Sequence, residues 1–116
     1  MKAAALLAAA AVLLPVHALA QVPFQPGGPT VTLAVTATTA RVQVQSSNNN
    51  KSIRIFNSGT VPAFIACGDV AVTATTAAGM PIAPGTVEII GCAQTHIAGI
   101  AASGTAPLYL TPGNGM

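Results

Sequence analysis

Beyond residue 20, the acid, imidazole and thiol side chains are Cys67, Asp69, Glu88, Cys92 and His96. Glycoside chemistry needs two carboxylates flanking one bond, and Asp69 and Glu88 are the only acids in the chain. Both have structural readings. Asp69 follows Gly68 in a turn, where a short carboxylate bonds nearby backbone N–H groups. Glu88 alternates with Val87 and Ile89, which suits a solvent-facing strand position. Ser103, His96 and Asp69 supply the residue types of a hydrolytic triad, but the chain has no G-x-S-x-G elbow. Gly27-Gly28 runs into Pro29 with no following Lys-Ser/Thr pair, so a phosphate loop is excluded. No catalytic residue and no cofactor are expected.

Cys67, Asp69, Cys92 and His96 form a set of four possible metal ligands. Structural zinc favours short paired spacings such as C-x2-C, whereas these cysteines stand 25 positions apart. A strand at His96 also carries it away from Cys92. No metal site is expected. The two cysteines have two readings. In an oxidising compartment Cys67 and Cys92 form a disulfide; in a reducing one they are two small buried apolar residues.

Composition narrows the class. The chain has 116 residues, room for one domain. It is 52% hydrophobic but only 5% charged, with three Phe, one Tyr and no Trp. So apolar a chain is not of the disordered type. The net charge of +2 rests on Lys2, Arg41, Lys51 and Arg54 against Asp69 and Glu88. That is too sparse for a nucleic-acid footprint, which needs clustered cations.

Residues 1–20 read differently from the rest. Lys2 precedes an apolar run, Ala3 to Leu14, then Pro15, and Ala18-Leu19-Ala20 gives a small-x-small end before Gln21. These are the three parts of a secretory signal, with cleavage expected between Ala20 and Gln21. The run is shorter than the roughly 20 residues that span a bilayer, so no membrane attachment is expected after its removal. Two other readings stay open: an Ala-rich helix retained on the protein, or a misplaced start.

Residues 21–29, with three prolines and a Gly pair, predict an extended arm free to reach a neighbouring subunit. Residues 30–111 predict the domain itself. Val31, Leu33 and Val35 alternate with Thr30, Thr32 and Thr36, the period of a half-buried strand. Similar strands are expected at 41–45, 52–56, 61–67, 70–74, 86–90, 95–101 and 105–111, with Asn57-Ser58-Gly59 as a turn and 75–85 as the longest connection. A hexapeptide shared by 35–40 and 72–77 is not extended by its flanks, so no repeat is assigned. Residues 112–116 predict a flexible tail. The expected fold is all-β: a single antiparallel β-sandwich, jelly-roll-like, of about eight short strands.

The stretches Ser52 to Thr60, Ala63 to Asp69, Gly79 to Glu88, Thr95 to Ala98 and Ala102 to Gly113 carry a resemblance. They resemble, in order, a pattern of small tailed-bacteriophage and prophage virion accessory proteins, the capsid-decorating or head-associated β-sandwich subunits. That resemblance implies a non-catalytic structural protein, located in the virion, whose partners are other protein subunits in a homo-oligomer or capsid shell. The signal-like segment departs from it, because virion proteins assemble in the cytoplasm. Two alternatives therefore stand beside it. One is an exported, periplasmic or secreted, adhesin-like or pilus-like module stabilised by a Cys67–Cys92 disulfide. The other is a periplasmic ligand-binding module, which needs a concave site with convergent polar groups.

Overall fold

In the computed structural model, residues 22–115 are described; the signal-like segment 1–20, its expected cleavage point at Ala20–Gln21, and Met116 lie outside the described residues. Nine strands form two antiparallel sheets: β1 (Gln25–Pro26), β2 (Val31–Val35), β3 (Ala40–Gln43), β4 (Ser52–Asn57), β5 (Ala63–Gly68), β6 (Met80–Ile82), β7 (Val87–Gly91), β8 (His96–Ile100) and β9 (Ala106–Asn114).

Sheet A has the order β2-β9-β4-β7, with β1 continuing the β2 edge along the far end of β9. Sheet B has the order β3-β8-β5-β6. One rule generates both. β2 pairs with β9, β3 with β8, β4 with β7, and β5 with β6. The chain is thus one long antiparallel hairpin, closed between β5 and β6 and rolled so that successive pairs go alternately to sheet A and sheet B. β4 against β9 and β5 against β8 complete the sheets. This is the jelly-roll arrangement, in agreement with the fold class expected from the sequence.

Alternation places the core between the sheets. Sheet A contributes Leu33, Val35, Ile53, Ile55, Ala106, Leu108 and Leu110; sheet B contributes Ala63, Ile65, Ile82 and Ile97. Branched aliphatic side chains suit this pleated, half-buried geometry.

Four expectations are corrected. Residues 70–74 alternate like a strand but pair with none, because Asp69 Oδ1 accepts the Ala71 N–H at 2.8 Å and turns the chain away. The segment expected as an open connection contains β6, a three-residue edge strand in which Pro81 is tolerated. The expected tail instead supplies Pro112–Asn114 to β9. The expected free arm lies on its own chain, with Gln25 opposite Asn114 and the Gly27 N–H donating to Pro112 O at 2.8 Å.

Asn57 is fully buried, and both polar atoms of its amide are hydrogen-bonded. Nδ2 donates to Val61 O at 3.0 Å and Ile82 O at 2.9 Å, and Oδ1 accepts the Gly59 N–H at 2.9 Å. Its backbone N–H donates to Thr86 O and its carbonyl accepts from Gly85 N. One residue thereby ties the β4–β5 turn, the end of β6 and the β6–β7 turn. Asn57→Asp sets a carboxylate against two carbonyl oxygens, and an unpaired buried acceptor is expensive. It is expected to lower unfolding free energy by about 2–4 kcal/mol in urea titration, against less than about 0.5 kcal/mol for exposed Thr76→Ala.

Candidate functional site: the open face of sheet A

The chain has three Phe and one Tyr, and none of them belongs to the core. Register shows where they go. Phe56 is opposite Tyr109 and Val87, and Tyr109 is also opposite Thr32. Paired residues share a face, so Thr32, Tyr109, Phe56 and Val87 form one row across the outside of sheet A. Thr111, Arg54 and Ile89 form the next, bounded by Thr30, whose Oγ1 lies 2.7 Å from Thr111 Oγ1. The Phe56 and Tyr109 rings stack with centroids 6.1 Å apart at 22°. At the arm end, a Cβ on Gly113 would lie 2.6 Å from the Phe24 ring, so Phe24 covers the sheet there and the position admits no side chain. Three of the four aromatic residues therefore lie on this face.

This arrangement reverses the phase expected at β7. Glu88 is opposite Ile55, on the core side, yet stays solvent-exposed at the sheet edge as expected, while Val87 and Ile89 look outward. Ile90, opposite Ile53, packs on the core instead.

The middle of sheet B's outer face is covered by its own chain, while Arg41, Gln43 and Pro81 at its margins stay exposed. A Cβ on Gly68 would lie 2.8 Å from Val72 Cβ, so the 69–79 connection can press on β5 because residue 68 has no side chain. Arg41 Nη1 donates to Val72 O at 3.4 Å, and the Ala74 N–H donates to Thr39 Oγ1 at 3.0 Å. Phe64, the fourth aromatic residue, lies beneath the returning turn at Gly79. The contrast is measurable at mid-sheet: Ala98, outside sheet B, is 0% exposed, and Tyr109, outside sheet A, is 43% exposed.

The sheet edges are poor templates for strand addition. β7 carries the inward-facing Glu88, β6 is three residues long with Pro81, β3 bears Arg41 and Gln43, and the β1–β2 edge is broken by Gly27-Gly28-Pro29. Short strands, prolines and misplaced charges are recognised guards against edge pairing.

The other residues read from the sequence fall elsewhere. Cys67 and Cys92 form a disulfide with Cα atoms 6.1 Å apart, joining β5 of sheet B to the residue after β7 of sheet A. Their thiols are therefore unavailable as metal ligands, and among the described residues no three His, Cys, Asp or Glu side chains converge. His96 Nδ1 lies 2.7 Å from Thr95 Oγ1. Ser103 lies beyond the opposite end of β8, about 13 Å of strand away from His96, so the triad types are not brought together.

A cleft of about 340 Å³ opens between Gly27–Pro29, the loop after β3 and Pro112. Its central amide is committed to the loop itself: Gln45 Nε2 donates to Asn50 O and Gln94 O, and Gln45 Oε1 accepts the Asn50 N–H. Asn114 joins the tail to the same loop through Lys51 N and Asn50 Oδ1. These amides fasten the arm, loop and tail together.

Joining residues 25 apart, the disulfide restricts the unfolded chain by about 3 kcal/mol. Reduction, or Cys67→Ala with Cys92→Ala, is expected to lower unfolding free energy by about that amount in denaturant titration.

Comparison with protein-family models, curated proteins and solved structures finds no match to this chain.

Proposed function

We propose that this protein is a non-catalytic structural module that binds other protein subunits through the outer face of sheet A. The observation that carries the reading is the placement of Phe24, Phe56 and Tyr109 outside the core, beside Val87 and Ile89. A domain with few large side chains gains most stability by burying them; an aromatic ring left outside forfeits that gain unless a partner covers it. Aromatic residues are also enriched at the centre of protein interfaces, where charge is depleted. The hydroxyls of Thr30, Thr32 and Thr111 give the patch a neutral polar rim. Guarded edges favour a face over a strand edge as the contact.

The resemblance to virion accessory subunits suits a module of this kind and implies a capsid shell as its setting. The disulfide supports the exported alternative, an adhesin-like or pilus-like subunit, because such bonds persist in oxidising compartments.

Tyr109→Lys places a charge at the centre of the face and is expected to release the protein from its native assembly into the monomer fraction of a density gradient. Ala37→Lys, in the exposed β2–β3 loop, is expected to leave it assembled. The opposite pattern excludes this face. Intact mass of the native protein decides the setting: a chain starting at Gln21 is the exported outcome, and a full-length chain or one starting near Phe24 is the virion outcome.

A further inference from the structure

The open face carries a single ionised group, Arg54, set between Thr111 and Ile89 one row from the Phe56–Tyr109 stack. Among the described residues no carboxylate shares that face, since β2, β4 and β9 contain no acid and the exposed Glu88 of β7 stands opposite Ile55, on the other side of the sheet. A partner must therefore bring both an apolar contact and a negative charge. On the other side of the sandwich, the turn leading from β5 onto sheet B offers that combination. Asp69 is exposed there, with its carboxylate oriented by the Ala71 N–H at 2.8 Å. Beside it Val70 is 64% exposed, the most exposed large apolar residue among those described.

We infer that the Arg54 face of one copy receives the Asp69–Val70 tip of a second copy, so that the chain assembles head to tail. This rests on the reading of sheet A's outer face as the contact surface, and it names the occupant. Two open faces pressed together would bring two arginines and no described acid into one interface, which disfavours a symmetric face-to-face dimer. Arg54 and the Asp69–Val70 tip lie on opposite sides of one molecule, so they cannot meet within it. Each added copy leaves one face and one tip free, so the contact propagates as a ring or a filament.

The decisive test mixes two full-length variants, each with one half of the contact disabled at an exposed position. Arg54→Glu spoils the face and keeps the tip; Val70→Lys spoils the tip and keeps the face and the Asp69 turn. In sedimentation velocity, the wild type is expected to gain mass with concentration, and each variant alone to associate at least about tenfold more weakly. The equimolar mixture is expected to form one-to-one pairs and stop, because the only intact face meets the only intact tip. A mixture that stays monomeric where the wild type associates overturns the head-to-tail geometry. A wild type that stays monomeric throughout overturns self-association, while the Tyr109→Lys gradient separately decides whether the face is used at all. Matching circular dichroism spectra establish that both variants are folded.

Discussion

The buried amide of Asn57 is the contact on which the rolled hairpin turns. Near the closed end of that hairpin the chain must leave sheet A for sheet B, reverse, and come back. Asn57 meets the outgoing and the returning passages, through the Gly59 N–H and Val61 O of the β4–β5 turn and through Ile82 O at the end of β6. Aliphatic packing is non-directional and sets no register by itself. A hydrogen-bonded buried amide is directional and tolerates no slip, because a displaced partner leaves an unpaired polar atom in the core. Once β4, β6 and the turns beside them are fixed, β5 pairs with β6 and β4 with β7, and the outer pairs follow in order. The disulfide adds a second tie between the sheets near the far ends of β5 and β7.

This topology also produces the asymmetry between the two outer faces. Both sheets have an outer face, but the β5–β6 connection is long enough to fold back over only one of them. Gly68 lets Val72 approach β5, and Thr39 and Arg41 hold the far side of the cover. The middle of sheet B thereby lies between the core and its own connection. Sheet A keeps an aromatic, nearly uncharged surface, with Arg54 as its single ionised group.

Much of the fold was legible in side-chain alternation, but its limits are equally physical. Leu33 and Val35, or Ile53 and Ile55, alternate with polar neighbours and announce half-buried strands directly. The signal fails where both faces of a segment are apolar. Val87 and Ile89 imitate a core face, and the true inward residue, Ile90, breaks the period. Residues 70–74 alternate as a strand does, yet their apolar side chains serve to cover a sheet from outside, a tertiary role that period alone cannot distinguish. β6 was hidden by Pro81, which an edge strand accepts, and the end of β9 by Pro112 and Gly113, which β1 and Phe24 accommodate. Asn57 reads as an ordinary turn residue, because its burial depends on β6, reached only after a long connection. The open face left one trace in the sequence: rare aromatic residues outside the clearest core positions, with Phe56 and Tyr109 next in phase to Ile55, Leu108 and Leu110.

The central claim is that sheet A's outer face is covered in the working state and the middle of sheet B's is covered always. Hydroxyl-radical footprinting compares the two directly through aromatic probes on opposite faces. Between dissociated and assembled protein, the oxidation rate of Tyr109 should fall severalfold, and that of Phe64 beneath the β5–β6 connection should stay constant. Equal Tyr109 oxidation in both states, with new protection on the sheet B side alone, would contradict the account.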